Sequence, residues 1–285
     1  LHKVRALLEG VTPLRSNFAA LSIESTTAVR QFLAMVQILH HVDGDAPIRM
    51  LIAECEQPQT VLAALYFAKL FGIDDKVDVS PLFETETAME HGARFLDAML
   101  AEPTYQAYAR TRGRVSIQTG FSDAGRFVGQ LPAALAIERL HGRLARIMAR
   151  HGLTDVAALI FNTHGESMGR GAHPGSIADR MHYPMSEWAR QQFAANGIAT
   201  EREASVQGGD GYLLFRNPTL ALATFTRIAE AELAPLPVGE DPFYTRTDIT
   251  LDFYRVIRRV QREHLESRTY ARAVTAFGLG LLNET

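Results

Sequence analysis

The sequence predicts an α/β protein: a parallel sheet covered by helices, continued by a mainly helical second half. Between Ile48 and Phe161, short apolar runs alternate with longer stretches of helical spacing, the βαβα order that favours a parallel sheet. Each of the four runs empties into polar or charged residues at its C-terminal end, where such folds keep their chemistry. Beyond Pro174 the alternation fades and helical patterns dominate. Four βα units amount to half of a (β/α)₈ barrel, or to an open parallel sheet.

The first strand is Ile48–Ala53, leading into Glu54-Cys55-Glu56-Gln57-Pro58. A helix over Thr60–Phe71 follows, with Leu62, Leu65, Tyr66, Lys69 and Leu70 at helical spacing and Gly72 as its stop. Val77–Phe83 is the second strand and ends in Glu84-Thr85-Glu86. Thr87-Ala88-Met89-Glu90 then reads as a capping box opening a helix toward Leu100. The third strand, Arg114–Thr119, leads through Gly120–Arg126 to a helix over about Gly129–Arg150, whose buried stripe is Ile137, Leu140, Leu144, Ile147 and Met148. The fourth, Val156–Phe161, precedes a glycine-rich segment. Further on, Met185, Trp188 and Phe193 suit a helix, Gln207–Gly211 a polar turn and Tyr212–Phe215 a short apolar run. Pro218–Leu233 reads as a helix broken by Pro235 and Pro237. Asp248–Glu266 reads as an amphipathic helix carrying Leu251, Tyr254, Ile257 and Val260.

The 285 residues carry 29 Lys+Arg against 32 Asp+Glu, a balance that leaves no broad electrostatic footprint for nucleic acid or an anionic membrane. Cys55 is the single cysteine, so neither a disulfide framework nor a Cys-rich zinc site can form, and a reducing, cytoplasmic setting is expected. No apolar run is long enough to span a bilayer.

Glu84 and Asp123 stand just past neighbouring strands. Two carboxylates there suit a hard cation, Mg²⁺ or Mn²⁺, and suit equally a helix cap and a turn. The segment from His164 to Gly175 combines Gly165, Gly169, Gly171 and Gly175 with Glu166, Ser167, Arg170 and His173. Glycines let backbone N–H groups approach an anion, and Arg170 offers a bidentate fork to phosphate or carboxylate. The segment is neither a Walker A loop nor a dinucleotide fingerprint, and it fits an ordinary strand-to-helix loop as well. His164 follows a buried strand and suits acid, base or donor roles, whereas His40 and His41 lie on a helix and meet solvent or a partner. Histidine spacings match no zinc motif, and no Gly-x-Ser-x-Gly elbow is present. Two arginine-rich helices, with Arg139, Arg143, Arg146 and Arg150 on one and Arg255, Arg258, Arg259 and Arg262 on the other, read as solvated faces or subunit contacts.

Three motifs in order, Pro81-Leu82-Phe83-Glu84-Thr85, then Gly120-Phe121-Ser122-Asp123-Ala124-Gly125-Arg126, then the run from Phe161 to Pro174, resemble the central motifs of phosphoenolpyruvate carboxylase. The strand Ile52-Ala53-Glu54 and its helix are similar to the segment that precedes them in that family. The resemblance spans about residues 48–175. It implies a (β/α)₈ barrel embedded in extra helices, and a Mg²⁺- or Mn²⁺-dependent conversion of phosphoenolpyruvate and bicarbonate to oxaloacetate and phosphate. It further implies Glu84 and Asp123 as metal ligands, and a catalytic set of Arg170, His164, Arg126 and Asn162. Gly165, Ser167, Gly169 and Gly171 become the substrate loop. The chain is then one region, 1–285, of a larger catalytic domain, with 48–175 bearing the site and 176–285 a helical extension. A homo-oligomer is expected for the full-length protein.

The chain departs from the family pattern at several points. Asn162 stands where a histidine is usual, His164 where the first loop arginine is usual, and Thr163 and Glu166 replace glycines. Arg126 stands for a lysine, and Phe127 for an aspartate. An imidazole that is mostly neutral at pH 7 replaces a permanent guanidinium beside an added carboxylate, which weakens an anion site. These differences leave two alternatives, another metal-dependent lyase or phosphotransfer enzyme on a similar substrate, and a non-catalytic binder of an anionic metabolite. The family's Thr-Ala-His-Pro-Thr-Glu motif is absent, Ala172-His173-Pro174 is not its equivalent, and the family's C-terminal regulatory segment is missing too. With Leu1 at the start, the expectation is an interior piece of a longer protein, inactive alone.

Overall fold

The computed structural model describes residues 2–120, 124–125, 128–162, 176–182, 185–204, 208–234 and 242–281. Three helices open it, α1 (His2–Glu9), α2 (Phe18–Ile23) and α3 (Thr27–His41). The alternation follows as β1 (Ile48–Ile52), α4 (Pro58–Leu70), β2 (Val77–Phe83), α5 (Glu86–Leu100), α6 (Pro103–Arg112), β3 (Arg114–Thr119), α7 (Gln130–Arg150) and β4 (Ala157–Asn162). Helices α8 (Ile177–His182) and α9 (Glu187–Ala195) lead to β5 (Thr200–Ala204). Then come α10 (Gly208–Phe215), α11 (Pro218–Leu233), α12 (Pro242–Thr245), α13 (Thr247–Leu265) and α14 (Arg268–Leu281).

The four expected strands are present, two with the expected bounds, and three further findings correct the sequence reading. A fifth strand, β5, extends the sheet. Thr85 rather than Thr87 caps α5: its backbone is extended and its hydroxyl accepts from the Ala88 N–H at 3.1 Å, so the helix starts at Glu86. Residues 208–215, expected as a turn and an apolar run, are helical, and Phe215 packs on Phe225 of α11 with ring centroids 5.1 Å apart.

All five strands are parallel, in the order β1-β2-β3-β4-β5. Crossovers between parallel strands share one hand as a rule, so strands in strict sequence order place the connecting helices on one face. On that face Val77, Val79 and Phe83 of β2, Val115 and Ile117 of β3, and Ile160 of β4 share a buried cluster with Leu62 of α4, Leu96 of α5, Leu144 of α7 and Phe193 of α9. The expected α7 stripe is buried throughout. On α13 the expected stripe is half-buried at Leu251, Tyr254 and Ile257, with Tyr254 packed on the fold, and Val260 alone of the four is exposed.

Residues of opposite parity turn to the other face of the sheet, where a belt of charged side chains lies among apolar Leu82, Leu159 and Phe161. Arg49 of β1 donates to Asp78 of β2 and to both carboxylate oxygens of Glu203 on β5, with Nε to Oε2 at 2.6 Å. Because β1 and β5 are the two outermost strands, the sheet curls until one guanidinium spans it from edge to edge. Arg112, in the last turn of α6, donates to Asp78 at 2.8 Å, and Arg114 of β3 reaches Glu201 of β5 at 2.9 Å. Asp78 is 1% exposed, so its charge is balanced by two guanidinium groups rather than by water. The Glu203 hydrogen bond, ahead of the Asp78 charge, holds Arg49 above the ordinary arginine range.

One level up, the hydroxyls of Ser80 and Ser116 bond to each other across β2 and β3. Those two strands pair directly only at Leu82–Gln118 and Phe83–Thr119. Lower on β2, the buried Tyr108 hydroxyl serves the main chain, donating to the Val77 carbonyl at 2.6 Å and accepting from the Val79 N–H at 2.8 Å.

Removing Arg49 would leave the buried Asp78 carboxylate with Arg112 alone and break the tie to Glu203. Arg49→Met is expected to lower unfolding free energy by about 3 kcal/mol in urea at neutral pH; an unchanged midpoint would show that the belt does not hold the sheet. His141 of α7 is buried with neither ring nitrogen hydrogen-bonded, and burial pushes its pKa down to about 4. The fold therefore holds a neutral ring, and unfolding takes up a proton. Stability from this ring is complete above its unfolded value of about 6.5 and declines as pH falls toward 4, by about 3 kcal/mol in all. Urea titrations from pH 7 to 4 should show a shallower decline in His141→Leu than in the unaltered protein.

Candidate functional site

Phe83, Thr119 and Asn162 are paired across β2, β3 and β4, so three strands end at one level. Glu84 follows Phe83 and precedes the Thr85 cap, which fixes the backbone on its far side. Gly120 follows Thr119, and its N–H donates to the Phe83 carbonyl at 3.0 Å. A side chain at Gly120 would place Cβ 3.0 Å from Glu84 Cβ and 3.2 Å from Leu82 Cδ1, with Glu84 Oε2 at 3.5 Å. The missing Cβ thus leaves room for the half-buried Glu84 side chain to lie over the end of β3. On the inner face of β3, two residues before Gly120, Gln118 Oε1 is buried with no hydrogen-bond partner, whereas Thr119 Oγ1, also unpartnered, belongs to the helical face.

A carboxylate at a strand end, with a buried, unpaired amide oxygen on the neighbouring strand, fits a hard divalent cation, which takes oxygen ligands and commonly binds through one or two carboxylates. Among the described residues no three His, Cys, Asp or Glu side chains converge. Of the expected site residues, Glu84 is placed with its side chain and Asn162 by its backbone, as the last residue of β4 level with Thr119. Asp123, Arg126, His164, Gly165, Glu166, Ser167, Gly169, Arg170, Gly171 and His173 lie outside the described residues.

The arginines of α13, expected on a solvated face or at a subunit contact, turn inward in part. Arg258 pairs with Glu86 and, at 2.6 Å, with Glu90; Arg262 pairs with Glu86 at 2.7 Å. Their signal in the sequence was a helical stripe of Tyr254, Arg258 and Gln261, which marks a face without naming its partner. Arg139 of α7 lies over the Tyr254 ring, 5.6 Å from its centroid. Arg150 and His151 both reach Asp97, at 2.5 and 2.7 Å, and the His151 bond leads in holding that carboxyl below its usual range. On the helical side of β2, a cavity of about 400 Å³ lies between the β1–α4 loop and α5, lined by Cys55, Phe83, His91 and Phe95 among others. Burial there pushes the Cys55 thiol up to about 11, which keeps it protonated. No helix among the described residues is long and apolar enough to cross a membrane.

The family model of phosphoenolpyruvate carboxylase matches residues 2–179. The chain is 30% identical over 236 residues to the phosphoenolpyruvate carboxylase of Pseudomonas aeruginosa, covering 79% of this chain and 24% of that protein. It is 28% identical over 257 residues to that of Chromohalobacter salexigens, covering 88% and 27%. With that of Hahella chejuensis it shares 25% identity over 276 residues, covering 94% and 29%. The chain therefore spans about a quarter of the length of these curated relatives.

The contact at Gly120 leads to a direct test. Gly120→Ala forces a Cβ against Glu84 and Leu82, and overpacking of this kind typically costs about 1–3 kcal/mol. Urea denaturation should register that loss, whereas an unaltered midpoint would show that the close approach of β3 to Glu84 is not required.

Proposed function

The chain belongs to the phosphoenolpyruvate carboxylase family, and from that premise we propose that it takes part in the metal-dependent carboxylation of phosphoenolpyruvate by bicarbonate, giving oxaloacetate and phosphate. The observation that carries the proposal is Glu84, a carboxylate at the C-terminal end of a parallel strand, fitted against Gly120 just past the next strand, on which Gln118 Oε1 is buried and unpaired. In this reading Glu84 and Asp123 hold Mg²⁺ or Mn²⁺. The ion supplies positive charge where negative charge develops as the phosphoryl group leaves the enol oxygen for bicarbonate.

The chain's own residues bind and orient. Arg170 and Arg126 carry permanent charge toward phosphate and carboxylate, and His164 and Asn162 donate hydrogen bonds. The N–H groups around Gly165, Ser167, Gly169 and Gly171 offer further donors and help keep water from a labile carboxyphosphate. The sheet supports the same reading: five parallel strands in sequence order, curled so that Arg49 reaches Glu203, suit a segment of a (β/α)₈ barrel. The site sits where that fold keeps its chemistry. A length about a quarter that of the relatives supports a role within a larger catalytic unit. Cytoplasmic location and homo-oligomeric assembly belong to this proposal.

His164, where the family has an arginine, favours one second reading, binding of the anionic metabolite without carboxylation. A coupled oxaloacetate assay on the full-length protein separates the two. Glu84→Gln is expected to cut Mn²⁺- and bicarbonate-dependent turnover at least about 100-fold while leaving the fold intact. Full turnover in Glu84→Gln would remove Glu84 from the site, and phosphoenolpyruvate binding with no turnover in the unaltered protein would favour the binder.

A further inference from the structure

Two successive strand-to-helix connections lead from the expected metal carboxylates into α5 and α7, and α13 meets the first turn of both helices. Glu86, the first residue of α5 and two residues past Glu84, is held by Arg258 and Arg262, and Arg258 also holds Glu90 one turn on. Three residues along α13, Gln261 lies on Gly129, the N-cap of α7: a Cβ at Gly129 would meet Gln261 Oε1 at 2.7 Å and its Cβ and Cγ at 3.0 Å. Gly129 has φ of 101°, so the close approach and the backbone turn both need glycine there. Between these grips, Tyr254 packs on a small buried cluster of Met89 from α5, Ala124, and Ala133, Ala136 and Ile137 from α7. Residues 254, 258 and 261 fall on one stripe of the helix, so a single rigid face touches both helix starts.

We propose that α13 is a clasp that sets the α5 and α7 helix starts relative to each other, with Arg258 and Gln261 as positioning residues for the carboxylates carried on the two connections. The inference rests on the reading of Glu84 as a metal ligand. Exposed ion pairs contribute little singly, but Arg258 is half-buried, bridges two carboxylates and shares one of them with Arg262, so their geometry is mutually fixed. Supporting groups of this kind hold ligating side chains in place, and their loss typically weakens metal affinity about 10–100-fold.

The test uses the full-length protein with Arg258→Met, Arg258→Lys and Gln261→Ala. One readout needs no metal: hydrogen exchange at the amides of Ala88, Met89, Val128, Gly129 and Ala133, with Ile160 in β4 as the internal reference. The other is the Mn²⁺ dissociation constant, from the electron paramagnetic resonance of free Mn²⁺. Arg258→Met is expected to speed exchange at both helix starts about tenfold, leave Ile160 unchanged and weaken Mn²⁺ binding about tenfold. Arg258→Lys should recover part of both effects. Unchanged exchange at the five amides, or faster exchange with unaltered Mn²⁺ affinity, overturns the proposal. If Arg258→Met fails to fold, Gln261→Ala decides by the same readouts at Val128, Gly129 and Ala133. Absence of Mn²⁺ binding in the unaltered protein, or its persistence in Glu84→Gln, would instead overturn the metal-site reading, while the exchange rates still judge the clasp.

Discussion

The Arg49 guanidinium, shared between Asp78 and Glu203, is the interaction on which the rest of the sheet depends. Backbone pairing alone sets neighbours; it does not bring the first strand to the fifth. A buried carboxylate on β2 demands a cation, Arg49 supplies it, and the remaining donors of the same group find Glu203 across the concave face. Arg112 and Arg114 complete the belt from the side of β3. A charged belt therefore crosses the inside of the curl among apolar residues such as Leu159, and the main apolar core lies outside it, between strands and helices.

That arrangement brings three strand ends to one level and so makes a floor for a site. The chemistry of the floor follows from small choices in the sequence. Thr85 stops the extended backbone one residue after Glu84 by capping α5, which holds the carboxylate between strand and helix. Gly120 clears the space that Glu84 occupies. Residues of the distant C-terminal half then close over the starts of the next two helices, so the region near the site draws on parts of the chain more than 170 residues apart.

Much of this was legible in the sequence, and the misses have physical reasons. Strands β1 to β4 announce themselves because their outward residues are β-branched or aliphatic and each is bounded by turn residues. β5 reads Thr-Glu-Arg-Glu-Ala and has no apolar alternation, because its inward positions meet Arg49 and Arg114 and its outward Arg202 bonds the Met181 carbonyl and Glu232. Its strand character comes from partners, not from propensity. Glu84 could be singled out from its motif and its position at a strand end; its close fit to Gly120 could not. Arg258 and Arg262 looked like solvated charges because a charge pattern does not say which distant carboxylate will face it. The capping error at Thr87 has a local cause: two threonines two residues apart both offer a hydroxyl, and only the first has the extended backbone that a cap needs.

The Tyr108 hydroxyl gives the sheet an unequal seam. Near the strand ends β2 and β3 are joined backbone to backbone, whereas farther down one phenolic oxygen sits between the Val77 carbonyl and the Val79 N–H and serves both. A side chain from α6 thus satisfies main-chain groups of β2 at a level where β2 and β3 do not pair, so the strand is held there by a replaceable group. Support at the lower end and pairing at the working end then rest on different groups, so one can drift over generations without disturbing the other.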